Sequence, residues 1–263
     1  MTLVLFLPER AIAHAKHVFI KEEGLVIAQS WEDLNSIIRQ KPVTALILDP
    51  AADGVMNVDA VVTLLKRYPS LPVVAYVVLN EASFGAVAQL SRQGLENVLL
   101  QRFEDSPQRF RETVERARGN PLKRKVLAAL RSRLSSFPIK LVSTVNEMFE
   151  LPHRYSSAQD VALRAEMSSI RLYRCFSAAG LGSPKRMLRA AKLLRAVSYL
   201  SDHGYSVSDV AKKVGYRNAR LFGQHTIEVF GLTPSRVRSH LTPDDAADKL
   251  LEWLVAGPET EPE

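Results

Sequence analysis

The sequence predicts an α/β part built on a doubly wound parallel sheet, followed by an all-α part with two helix–turn–helix pairs. Three observations carry this. Short, wholly apolar runs alternate with helix-period segments over residues 1–118, the pattern of buried strands covered by helices. From residue 119 those runs cease and only the helical period continues. The charge changes at the same place: residues 1–118 hold 13 Lys and Arg against 14 Asp and Glu, residues 119–242 hold 21 against 7, and residues 243–263 hold 1 against 7. The overall net of +7 is therefore one strongly basic block between a near-neutral and an acidic flank. A solvated surface does not require that segregation. A polyanionic partner does, with nucleic acid as the first reading; a membrane surface, an acidic protein or no partner are the others.

The elements of the first part follow in order. Leu3–Leu7 is an apolar strand, and Glu9 to Glu23 an amphipathic helix with Ile12, Ala15, Phe19 and Ile20 on one side. Leu25–Ala28 is the second strand; Ser30 caps a helix to Gln40, with Asp33 three residues on. Thr44–Leu48 is the third strand, ending at Asp49-Pro50, and Val58–Tyr68 the next helix. Pro72–Leu79 is a strand whose continuous apolar content implies burial on both faces. A helix over Ser83–Arg92 stops at Gly94, and Val98–Leu100 is the fifth strand. Ser106-Pro107, a cap followed by Pro at the first helical position, opens a helix to Arg118. A ligand crevice is expected at the strand C-terminal ends, near Leu7-Pro8, Asp49 and Val77.

Residues 1–118, through their order, spacing and LILDP segment, resemble a response-regulator receiver domain, a flavodoxin-like fold. The chemistry departs from that family. Leu7-Pro8 stand where receivers carry a Mg²⁺-binding acidic pair, Val77 where they carry Ser or Thr, and Gln101 where they carry Lys. An aspartyl phosphate needs a metal and a cation to stabilise it. Asp49 is therefore read as a strand-end carboxylate of a degenerate receiver with a sensory or assembly role; a phosphorylation-competent receiver is the alternative.

Gly119-Asn120-Pro121 breaks the chain, and residues 119–136 form a basic linker helix with Leu122, Val126, Leu130 and Leu134 in register. It either packs on the following domain or transmits and dimerises. Within residues 137–242, Ser157–Glu166 and Ser169–Ala179 are two short helices joined by a turn at Met167-Ser168. Ser206–Lys213 and Asn218–Val229 repeat the arrangement around Val214-Gly215-Tyr216. Between them, Pro184–Leu200 is a long helix expected to bury Leu188, Ala191, Leu194 and Val197 and to expose Lys185, Arg186, Arg189, Lys192 and Arg195. Two such pairs joined by a rigid helix inside a basic block point to major-groove reading. Residues 243–263 are an acidic helix and tail.

Ser168, Leu172, Arg174 and Phe176 in the first pair, and SVSDVAKKVGY (206–216), Phe222, Phe230-Gly231, Thr233-Pro234-Ser235 and Arg238 around the second, resemble the AraC/XylS transcription regulators. Gln224, Thr226 and Ile227 depart from that family, which commonly has Arg, Phe and Lys there. The resemblance implies a sequence-specific, double-stranded-DNA-binding regulator. Leu172 and Phe176, and Leu221 and Phe222, are expected in the core. Ser169, Ile170, Tyr173 and Arg174 then face one groove, and Ala219, Arg220, Gly223 and Gln224 another. Arg174 suits guanine, Ile170 a thymine methyl, Gln224 adenine, and Arg220 guanine or a phosphate. Lys185, Arg186, Lys212, Lys213 and Arg217 are expected to position the chain on phosphates.

No catalytic residue, metal or cofactor is expected. The single cysteine, Cys175, excludes an internal disulfide and reads as a small core residue, while His14 and His17 lack a nearby third ligand. His225 either reaches a phosphate or is a satisfied surface histidine. The longest apolar run, Val73 to Leu79, is far short of the roughly 18–20 residues that cross a bilayer. A cytoplasmic protein of bacterial type is expected, homodimeric through its first domain, with RNA polymerase as a further partner. An adaptor that has lost DNA is the remaining alternative.

Overall fold

The computed structural model describes residues 2–22 and 24–256. The chain divides into two compact units at Gly119/Asn120, with the short Asp202–Gly204 segment grouped with the first. The predicted end of the first helix at Glu23 and the tail beyond Ala256 lie outside the described residues.

In the first unit, β1 (Thr2–Phe6), β2 (Leu25–Ile27), β3 (Val43–Leu48), β4 (Val73–Val77) and β5 (Asn97–Leu100) form one sheet in the order β2-β1-β3-β4-β5. Every pairing is parallel. Helices α1 (Glu9–Val18), α2 (Trp31–Gln40), α3 (Val58–Arg67) and α4 (Glu81–Arg92) make the four crossovers, and α5 (Pro107–Arg118) follows the last strand. This is the doubly wound, flavodoxin-like order. All of β3 is buried, as a central strand covered on both faces must be. Leu3, Leu5, Ala45, Ile47, Val74, Tyr76 and Leu99 share a core with Ala11, Ala15 and Val18 of α1 and Phe110 and Val114 of α5. The strand order reverses between β1 and β3, and Asp49 follows β3 at that point.

Two local expectations are corrected. Ile20, expected on the buried side of the first helix, is 75% exposed, because α1 ends at Val18 and Ile20 lies beyond its last turn. The fourth helix begins at Glu81 rather than Ser83. Asn80 is its cap: its side chain accepts the Ser83 N–H, and the Ser83 hydroxyl oxygen accepts the Asn80 N–H, each at 2.9 Å. Ser83 is thus the third-position partner of a reciprocal cap.

The second unit is helical: α6 (Pro121–Leu134), α7 (Ile139–Glu150), a 3-10 turn at Pro152–Arg154, α8 (Ala158–Arg164), α9 (Ser169–Ala178), α10 (Pro184–Leu200), α11 (Val207–Lys213), α12 (Ala219–Phe230), α13 (Pro234–His240) and α14 (Pro243–Val255). Helix α10 is the hub, packing against α7, α8, α9, α11, α13 and α14. That surround corrects its expected basic face. Lys185 is exposed, but Arg186, Arg189 and Arg195 are half-buried and Lys192 is buried. Leu122, Val126, Leu130 and Leu134 of α6 are buried, and α6 packs on α7 and α14 within this unit. The acidic α14 buries Ala246, Ala247, Leu250 and Leu254, and Asp244 and Asp248 pair with Lys125 at 3.3 and 2.9 Å.

Candidate nucleic-acid interface

The two helix–turn–helix pairs, α8–α9 and α11–α12, are built from the same local devices. Ser157 and Asp160 cap α8 reciprocally, and Ser206 and Asp209 do the same for α11. Each turn is closed by one long backbone bond, from Met167 N–H to the Ala162 carbonyl at 3.0 Å and from Tyr216 N–H to the Ala211 carbonyl at 2.9 Å. The residue before each donor is left-handed, Glu166 at φ 52° and Gly215 at φ 82°. Gly215 also packs closely: a Cβ there would lie 3.0 Å from the His153 Cα. Glycine meets both demands at once, whereas Glu166 carries the cost of its conformation without such crowding. Ser168 and Asn218 then cap α9 and α12 by accepting the N–H groups of Arg171 and Leu221.

Each second helix buries one stripe and leaves another open. In α9, Leu172 and Phe176 are buried, and Ser169, Ile170, Tyr173 and Arg174 are exposed. In α12, Phe222, Thr226, Val229 and Phe230 are buried, Ala219, Arg220 and Gln224 are exposed, and Gly223 is half-exposed. Leu221, expected in the core beside Phe222, is 39% exposed. It sits about 100° around the helix from Phe222, past the edge of the buried stripe. Thr226 fits the core because its hydroxyl donates to the Phe222 carbonyl at 2.7 Å.

The expected cations divide into two groups. Lys185, Lys212 and Arg217 are exposed. Lys213 is buried, its ammonium over the Tyr205 ring at 4.5 Å. The Arg186 guanidinium lies over the Trp253 ring at 4.2 Å and donates to the Trp253 carbonyl. Arg189 pairs with Glu228 at 2.5 Å, and Lys192 donates to the Gly215 carbonyl at 3.1 Å, tying the second turn to α10. Burial holds the Lys192 ammonium below the usual lysine range.

His225 is not an open surface group. Its Nδ1 lies 3.0 Å from the Tyr216 hydroxyl, and burial, with Arg189 and Lys192 nearby, pushes its pKa down to about 4. The imidazole is neutral near pH 7, so it brings no positive charge to a phosphate. Cys175 is a free, half-buried thiol rather than a fully buried core residue.

In the first unit, Asp49 is buried, with its Oδ1 accepting the Ala51 N–H at 2.9 Å, and desolvation raises its pKa. Gln101 turns inward and donates to the Tyr76 carbonyl at 3.1 Å. No helix among the described residues is long and apolar enough to cross a membrane.

Residues 161–240 match the family model described as a helix-turn-helix domain. The match takes in α9–α13 and the C-terminal half of α8, the same segment that carries the AraC/XylS resemblance, and this segment is an AraC-type helix-turn-helix domain. The chain thus carries a DNA-binding module of the kind transcription regulators use. No curated protein matches the chain. Among solved structures, it is similar to full-length FixJ from B. japonicum, at 10% identity over 88% of this chain and 98% of that one, with a TM-score of 0.40. It is also similar to the xylose-binding transcription activator XylR, at 14% identity over 90% and 69%, with a TM-score of 0.35. Both scores are low, and the fold described above rests on the chain's own strand order and helices.

Sequence reasoning missed three features of this region. Helix α7 was legible in the spacing of Leu141, Val145 and Met148, and α13 in the Thr233-Pro234 cap. Ile227, 49% exposed, lies on the open stripe of α12 one turn beyond Gly223.

Proposed function

We propose that this chain is a sequence-specific regulator of transcription that reads duplex DNA with α9 and α12. The observation that carries the reading is the pairing of two like-built helix–turn–helix units whose second helices each leave a polar and apolar stripe open. On α9, Arg174 donates to guanine O6 and N7, Ile170 meets a thymine methyl, and Ser169 and Tyr173 flank them. On α12, Arg220 and Gln224 reach base edges, with Ala219 and Gly223 beside them. Lys185, Lys212 and Arg217 hold phosphates. Arg186 and Lys213 leave this set because their charged ends are engaged by aromatic rings.

Selection from a random duplex pool tests the reading. Arg174→Ala and Arg220→Ala should each weaken the selected duplex by roughly 1–3 kcal/mol and relax preference at one position. Lys185→Ala should weaken all duplexes about equally. Unchanged affinity in both arginine variants would remove the assigned faces. Protein capture with no duplex binding at any salt would favour an adaptor.

The first unit serves assembly rather than phosphotransfer. Asp49 is buried with Arg10 as the cation that acts on it, Gln101 bonds to backbone where receivers carry Lys, and Leu7-Pro8 replace the metal-binding acidic pair, so an aspartyl phosphate there lacks the groups that stabilise it in receivers. Asp49→Asn should leave duplex affinity unchanged, and a small acyl-phosphate donor with Mg²⁺ should add no phosphoryl group to Asp49. Mass spectrometry showing that adduct would establish the receiver alternative.

The assembly is a homodimer through α4, β5 and α5. Leu79 before α4, Phe84 on it and Phe103 after β5 expose large apolar side chains, at 47%, 68% and 75%. The surface of α5 mixes Arg109, Glu112, Glu115 and Arg116, which permits reciprocal pairing across a two-fold axis. Light scattering at tens of micromolar should give a dimer, and Phe84→Asp with Phe103→Asp should give a monomer of lower duplex affinity. A monomeric wild type, free and on DNA, rules this out. Cytoplasmic residence and contact with RNA polymerase follow from the regulator reading and belong to the same proposal.

A further inference from the structure

Helix α12 contains a residue that nothing inside the protein explains. Gly223 sits in its interior, where glycine weakens a helix more than any residue but proline. Its φ is not left-handed, and a Cβ built on it would meet no heavy atom within 4 Å. Neither backbone conformation nor packing therefore demands a glycine. One turn on, Ile227 is 49% exposed, a branched apolar side chain set among Arg220, Gln224 and Glu228. Helical side chains lean toward the N-terminus, so Ile227 projects toward the turn that holds Gly223, while the position of the missing Cβ itself stays open. The result is a position without a side chain beside an exposed apolar one, on the same open stripe as Arg220 and Gln224.

We propose that Gly223 and Ile227 together read a thymine C5-methyl group, the missing Cβ letting the base edge approach the helix and Ile227 supplying the apolar wall. The major-groove edge of thymine is the one base edge that projects a methyl, and apolar side chains are its natural partners. This inference rests on the proposal that α12 lies in the major groove, and goes beyond it by naming the base feature that the second pair discriminates.

The test uses the full chain and a duplex selected from a random pool, with each thymine replaced in turn by deoxyuridine, which lacks only the methyl. The wild type should contain one thymine contact whose loss lowers affinity about three- to fivefold. That difference should vanish in Gly223→Ala and in Ile227→Ala, yet persist in Ile170→Ala, which separates it from any methyl contact made by α9. Gly223→Ala should also melt a few degrees higher than the wild type, so its loss of discrimination is not misfolding. A selected duplex with no methyl-sensitive thymine overturns this inference alone, as does a sensitivity unchanged in both α12 variants. Failure of the wild type to select any duplex removes the underlying reading together with it.

Discussion

Raising the salt from about 50 to about 200 mM is expected to lower the affinity of this chain for duplex DNA by roughly 10³-fold. The expectation comes from the basic block. Residues 119–242 carry 21 Lys and Arg against 7 Asp and Glu, but the structure withdraws part of that charge from solvent. Lys192 and Lys213 are buried, Arg186 is stacked on Trp253, and Arg189 is paired with Glu228. Arg171, Arg174, Lys185, Lys212, Arg217 and Arg220 remain exposed around the two reading helices. If about six phosphates are neutralised, the released counterions give a slope near −5 in log affinity against log salt. Fluorescence anisotropy across a salt series measures it. A slope near zero would mean that the basic block serves some other purpose, and the proposed DNA face would fall with it.

Phe222→Ala should destabilise the second unit by about 3–5 kcal/mol, whereas its neighbour Leu221→Ala should cost about 1 kcal/mol or less. Phe222 is fully buried, with its ring 5.3 Å from that of Tyr216, and its carbonyl accepts the Thr226 hydroxyl. Truncation leaves a cavity under the recognition helix that the surrounding side chains fill only in part. Leu221 keeps over a third of its surface in water and loses little. Thermal and urea unfolding of both variants separate these cases. Equal losses would show that Leu221 belongs to the core, as the sequence pattern alone suggests.

Most of the fold was legible because its signals are local and redundant. Continuous apolar runs at Thr44–Leu48 and Pro72–Leu79 mark the two central strands, although the second ends at Val77 and leaves Leu79 47% exposed, and the crossover lengths leave room for one helix between successive strands. The capping pairs Ser157/Asp160 and Ser206/Asp209 announce α8 and α11 in the sequence and are formed in the structure. The face of α9 was equally legible, because Leu172 and Phe176 fix its buried stripe and hence the exposure of Ser169, Ile170, Tyr173 and Arg174. The face of α12 was legible at Arg220 and Gln224 and was misread at Leu221. Two adjacent apolar residues at a stripe's edge look alike in sequence, and only packing decides between them.

By itself the sequence determined the parallel α/β unit, the two helix–turn–helix pairs and the place of the basic block. Each of these is written in periodicity, caps and turn residues that act within a few positions of one another. The tertiary structure alone decided which charges remain available. Lysines and arginines carry long apolar stems, so a cation in α10 can point to water or fold onto a ring from another helix, and the sequence around it is the same in either case. Trp253 draws Arg186 to itself from far along the chain, the Gly215 carbonyl holds Lys192, and Tyr216 keeps His225 in a pocket where its charge is disfavoured. Those choices depend on which helices surround α10, a long-range property that residue spacing does not encode.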